Sequence, residues 1–197
     1  MSRLSMDEIL PVERFAAERA KHLAEVTRVK GHRRLAVGPI MTLLFENRTT
    51  IRWQIHEMCR VENIRDLAGV KHEVETYGAL MPGPRELSTT LMIEVEDASE
   101  RAVWLKKLFG LHDHLRLVID SEEPVPGRFE LGREEETDKR ISAVQFVRFQ
   151  LSEAQMMAIL NLTRRAEMVV DHPEYGARAA LEGDLREALV DDLLESE

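Results

Sequence analysis

Three carboxylates and one imidazole stand where they could do chemistry. Glu46 and Glu94 each close an apolar run, TLLFE and TLMIE, Glu57 sits inside RTTIRWQIHEMCRVENIRD, and His72 opens VKHEVETY. If the two apolar runs are neighbouring strands, these four groups could converge at one end of a sheet. Three carboxylates with a histidine suit a hard or borderline divalent ion such as manganese, iron or zinc. Arg48, Gln54 and Arg60 complete the candidate polar cluster, and Lys139, His172 and Tyr175 are secondary candidates. The local spacing adds nothing: there is neither a Glu-x-x-His pair nor a His-Glu-x-x-His motif. Strand-end carboxylates in ion pairs with Arg48 and Arg60 are the commoner arrangement and carry more weight.

Glu57 focuses the argument. At about 100° per residue, Trp53, Val61, Ile64 and Ala68 share one arc of a helix, and Ile51, Ile55 and Met58 share a second. Glu57 projects into the first arc and Gln54 lies between the two. Arg52, His56, Cys59, Asn63 and Asp66 form a polar stripe assigned to solvent. A helix apolar on most of its circumference is usually buried on most of it. A carboxylate held there needs a cation, hydrogen-bond donors or a metal. Pairing with Arg48, Arg60 or Arg65 is the structural reading.

Other constellations are weaker. Arg48, Arg52 and Arg60 near a helix start could hold a small anion, because the first turn presents free N–H groups. Neither G-x-G-x-x-G nor G-x-x-x-x-G-K-[ST] is present, which argues against nucleotide hydrolysis. His56 and Cys59, three apart, could make a reactive thiol, although a lone cysteine beside Met58 is more often inert filler. His112-Asp113-His114 and Asp171-His172-Pro173 read first as polar turns.

The elements that must position these groups follow from periodicity and punctuation. Residues 11–30 read as a helix, and 34–37 and 40–46 as strands split by Gly38-Pro39. The central helix runs from Thr49 or Thr50 to about Ala68, with Gly69 as its C-cap. Residues 70–77 read as a strand, GALMPGPR as a loop that could act as a lid, and 89–95 as a strand. Asp97 or Ser99 caps a helix through Phe109, and 115–120 and 141–151 are strands. Ser152 caps a helix over 153–160. Residues 121–140 are acidic and read as a long excursion. A short apolar piece spans 168–170, and from Glu174 onward Ala180, Leu181, Leu185, Leu189 and Leu193 mark an amphipathic helix. The expected fold is α+β: an antiparallel or mixed sheet packed with helices, one compact domain over 1–175, and an acidic helical appendage over 176–197.

Composition bounds the rest. The 197 residues are 44% hydrophobic with a formal charge of -9, enough for a core and unfavourable for general nucleic-acid binding. The basic cluster Lys30-Gly31-His32-Arg33-Arg34 reads as a solvated turn. One cysteine excludes an internal disulfide and any cysteine-held iron–sulfur cluster. No apolar run approaches a membrane span and no signal-like segment opens the chain, so a cytoplasmic protein is expected.

The phrases RRLAVGPIMTLLFENRTT, QIHEMCRVE, HEVETYGALMP, TLMIEVED, ETDKRISAVQFVRFQL and DHPEY resemble an uncharacterised bacterial family catalogued as a domain of unknown function, number 3501. The resemblance spans roughly residues 1–175 and leaves out the final helix. It implies no established activity. It does imply the genomic company of rubrerythrin-like and heterodisulfide-reductase-like iron–sulfur proteins, hence a link to redox or peroxide metabolism. Three functions are expected, in this order: a binding or accessory module with redox protein partners; a metal- or anion-binding enzyme using Glu46, Glu57, His72 and Glu94; and a homo-oligomer held by its C-terminal helix.

Overall fold

The computed structural model describes residues 4–130, 134–135 and 138–195. A 3-10 turn (Met6–Glu8) leads into α1 (Val12–Gly31), whose Phe15 and Val26 are buried where it packs on α2 (Arg48–Val61). Between them β1 (Arg34–Ala36) turns back on β2 (Met41–Phe45). Gly38 makes that turn at φ 73°, a conformation that favours glycine. Next come α3 (Leu67–Gly78), β3 (Glu86–Ile93), α4 (Ala98–Lys107) and β4 (Leu115–Ile119).

The acidic excursion carries four two-residue strands: β5 (Val125–Pro126), β6 (Arg128–Phe129), β7 (Glu134–Glu135) and β8 (Arg140–Ile141). Residues 131–133 and 136–137, within the stretch expected as a long loop, lie outside the described residues. The chain closes with β9 (Val144–Gln150), α5 (Glu153–Leu160), β10 (Ala166–His172), β11 (Tyr175–Ala180) and α6 (Gly183–Glu195).

The fold is α+β. The five-stranded sheet runs β1-β2-β3-β9-β6 and the four-stranded sheet β11-β10-β4-β5, with every described pairing antiparallel. Gly127 carries the chain from one sheet to the other, where a Cβ would come within 2.8 Å of Val147. The main core lies between the sheets, with Leu43, Phe45, Leu91 and Phe149 on one side and Leu117, Ile119, Met168 and Val170 on the other. Strand alternation sends Thr42, Leu44 and Glu46 to the outer face. A second apolar cluster covers part of that face: Ile51, Ile55 and Cys59 of α2, Val74 of α3, and Leu80 and Met81 of the loop after it.

Four expectations need correction. The central helix stops at Val61, because Asn63 takes φ 54° and Asp66 caps α3 by accepting from the Gly69 N–H at 2.9 Å. Gly69 therefore lies inside a first turn and is no C-cap. Residues 70–77 are helical, as Val70, Val74 and Tyr77 follow the 3.6-residue period. Tyr175–Ala180 is a strand, paired to β10 through a tight turn at Pro173-Glu174, and the last helix begins only at Gly183. The apolar side of α6, Leu185, Leu189 and Leu193, is buried in the main core, so it is not a free face for self-association. Among the described residues, no helix is long and apolar enough to cross a membrane.

Candidate functional site

Glu46 follows the last residue of β2 and precedes Asn47, the N-cap of α2. The Asn47 side chain accepts from Thr50 N–H at 3.1 Å, and the Thr50 hydroxyl accepts from Asn47 N–H at 2.9 Å. This reciprocal cap fixes the Thr50 hydroxyl one turn from Glu46. That hydroxyl donates to Glu46 Oε2 at 2.5 Å, and Thr90 of β3 donates to Oε1 at 2.5 Å. Glu46 is only 9% exposed. Among the described residues, no Lys, Arg or His lies within ion-pair distance of it.

Glu46 lines a cavity of about 250 Å3 between α2, the end of α3 and the outer sheet face. Register builds its floor from one full row, Arg34–Leu44–Thr90–Phe146, and from Met92–Val144 of the next. Ile51 and Leu80 supply apolar wall, Gln54 and Tyr77 supply polar groups, and Lys30 joins Arg34 as the cationic lining. Leu80 belongs to the loop expected as a lid. The site is thus an apolar-walled pocket with one buried carboxylate held by neutral hydroxyls. Such a group can receive a cation or a strong hydrogen-bond donor without first losing a salt bridge. Two larger hollows, of about 570 and 740 Å3, offer nothing comparable. Their Arg164 is committed to Asp120 and Glu122, and their Arg148 to Glu86.

The other expected residues go elsewhere. Glu57 accepts from Arg19 of α1 at 2.8 and 3.0 Å and from Arg60 at 3.1 and 3.0 Å. Hydrogen bonding from Arg19 leads the causes that hold its carboxyl down at about 2. Its side chain is 18% exposed, so it is half-buried beside solvent. Arg48 binds Glu8 at 2.5 Å rather than either strand-end acid. Glu94 is exposed, accepting from the Thr42 hydroxyl at 2.6 Å and lying 3.8 Å from Arg34. Since Ile40 bonds Glu94 and Ser88 bonds Glu46 across the β2–β3 ladder, the backbones of the two acids sit at opposite ends of it, about 20 Å apart along the strands, and their carboxylates bind different threonines, Thr42 and Thr90. His72 is exposed on α3. Among the described residues, no three His, Cys, Asp or Glu side chains form a metal-binding group. Of the candidate cluster, Glu46 and Gln54 share a pocket.

The secondary candidates are also separated from it. Lys139 is exposed in a turn at φ 47°. Tyr175 donates to the Val37 carbonyl at 2.5 Å, while His172 accepts from Glu174 N–H at 3.2 Å and lies 3.1 Å from the Phe109 carbonyl. Both residues anchor the β10–β11 turn. The polar stripe expected to face solvent does so only in part: Asn63 and Asp66, past the end of α2, are exposed, but His56 stacks on Phe15 of α1 and Cys59 lies in the second apolar cluster, leaving them 4% and 2% exposed, whereas Val61 is 65% exposed. Burial, reinforced by Glu73, pushes the Cys59 thiol up, the opposite of what a nucleophile needs. The three arginines proposed for an anion diverge, Arg48 to Glu8 and Arg60 to Glu57.

Sequence reasoning missed Thr50, Thr90, Lys30 and Arg34. Thr50 carries a local signal, four residues after Glu46 at a helix start. Thr90 needed the β2–β3 register. The basic cluster read as a solvated turn instead lends Lys30 and Arg34 to the pocket and buries Arg33 against Asp192.

A crystal structure of a novel protein of unknown function from Burkholderia pseudomallei K96243 superposes on this fold with a TM-score of 0.90. It is 35% identical, and the match covers 98% of this chain and 100% of that one. No curated protein matches. The family model described as protein of unknown function (DUF3501) matches residues 3–193, which extends the resemblance into the last helix. The chain belongs to that family.

Proposed function

We propose that this protein is a small-molecule-binding module whose site is the pocket on the outer face of the five-stranded sheet. The observation behind this reading is Glu46, a carboxylate nine-tenths buried in a cavity of about 250 Å3, with hydroxyl partners and, among the described residues, no cation within ion-pair distance. Buried charges are normally paired, and a concave, mostly apolar pocket with a few convergent polar groups is the usual form of a ligand site. This is a different kind of binding from the first sequence-based expectation, a binding or accessory module with redox protein partners. A metal role would need acids that the fold holds apart.

The test is a ligand-observed NMR screen of small polar fragments against the wild type and Met92→Trp, which puts an indole into the cavity floor. Fragments whose saturation transfer disappears in Met92→Trp support the site. An absence of hits, or hits indifferent to that substitution, removes it.

A further inference from the structure

Resting on that reading, we infer that the ligand is a small zwitterion: an organic ammonium at Glu46, an apolar middle, and an acid group toward Lys30 and Arg34. The charges on the pocket lining are segregated. Glu46 is tied to Thr90 on β3 at 2.5 Å, whereas Arg34 lies two strands away in the same cross-strand row and Lys30 joins it in the lining. Two strand spacings put the Arg34 and Thr90 backbones about 10 Å apart. Leu44 lies between them in that row, and Met92 and Phe146 flank it.

Each charged group has capacity left. Glu46 has two neutral donors, and a carboxylate offers about four lone-pair sites. Among the described residues, the Lys30 ammonium has no hydrogen-bond or ion-pair partner, and the Arg34 guanidinium has Glu94 only at 3.8 Å. An ammonium supplies up to three donors to the floor, and a carboxylate answers the two cations. The cavity of about 250 Å3 suits a small molecule.

Three probes separate the requirements: 6-aminohexanoate, hexylamine and hexanoate, titrated by calorimetry into the full chain. The zwitterion is expected to bind at least about tenfold tighter than hexanoate, a difference of about 1.4 kcal/mol. Glu46→Gln, close to isosteric, should remove that preference by weakening 6-aminohexanoate and hexylamine while leaving hexanoate unchanged. The double variant Lys30→Gln/Arg34→Gln, at the edge of the pocket, should weaken 6-aminohexanoate several-fold and leave hexylamine unaffected. Equal binding of all three probes, or a zwitterion indifferent to Glu46→Gln, overturns the ligand class while Met92→Trp still reports on the pocket. Binding of none of the probes also overturns the ligand class. If fragment hits vanish in Met92→Trp the pocket reading survives that result; if they do not, both fail.

Discussion

Arg19 of α1 and Glu57 of α2 meet as a two-pronged fork, Nε to Oε1 at 2.8 Å and Nη2 to Oε2 at 3.0 Å. Arg60 repeats the geometry from the same helix, and Arg19 also lies over the Trp53 ring at 5.5 Å. This arrangement fastens α1 to α2 and leaves Glu57 no spare capacity for a metal. Glu57→Ala is expected to cost about 1–2 kcal/mol in urea denaturation, less than a fully buried pair because all three side chains reach water. A double-mutant cycle with Arg19→Ala should show favourable coupling. Zero coupling would reduce the fork to a surface contact. The carboxyl sits at about 2 in the fold, below its unfolded value. Its contribution is therefore complete above about pH 4.3 and is lost as pH falls through about 2.

His56 predicts a second pH dependence. Its ring stacks on Phe15 at 4.6 Å, and its Nε2 accepts from the Leu10 N–H at 2.9 Å. Burial, assisted by Arg52 and His22, lowers it to about 4, while the unfolded chain titrates near 6.5. Between these values the unfolded chain binds a proton that the folded chain refuses. Stability should be complete above about pH 6.5 and decline by roughly 2–3 kcal/mol as pH falls to about 4. In His56→Gln, which keeps an acceptor but cannot titrate, urea midpoints should vary less across this range. An unchanged slope would assign the effect to another group.

Tyr175 joins the β10–β11 turn to the β1–β2 turn. Its hydroxyl donates to the Val37 carbonyl at 2.5 Å, and a Cβ on Gly38 would come within 2.3 Å of that hydroxyl. Tyr175→Phe should cost about 1–2 kcal/mol, a fall in Tm of about 2–8 °C for a chain of this size. Gly38→Ala should cost more, from its φ of 73° together with the clash. In the Tyr175→Phe background Gly38→Ala should cost less, because the oxygen it meets is gone. Strict additivity in thermal unfolding would contradict that contact.

Local grammar was legible where it acts alone. Ser152 accepts from Gln155 N–H at 3.2 Å and starts α5 where the sequence placed it, and the Gly38 turn divides two strands as read. The break between α2 and α3 was hidden because a left-handed Asn63, rather than a glycine or proline, makes it. The burial of His56 was hidden because α1 supplies the cover from more than thirty residues away. Glu46 was named from sequence as a candidate metal ligand, and its hydroxyl partners were not legible: Thr90 becomes a neighbour only through strand register, 44 residues along the chain. Glu57 found Arg19 across 38 residues, a pairing that no local spacing announces.

On α6, two charged residues invite opposite results. Arg33 and Asp192 form a fork at 2.5 and 2.9 Å with side chains 7% and 12% exposed, so Asp192→Asn leaves a buried guanidinium short of its counter-charge and should cost about 3–5 kcal/mol. Arg186 is 4% exposed, all three of its guanidinium nitrogens are buried without a partner among the described residues, and burial lowers its pKa. A cation held this way destabilises the fold, and an unbranched apolar side chain of similar length fills the same path. Arg186→Met is therefore expected to raise the urea midpoint by about 1–3 kcal/mol of stability. A loss of stability in Arg186→Met would mean that the guanidinium has a partner in solution, and an accompanying dependence on phosphate concentration would identify that partner as an anion.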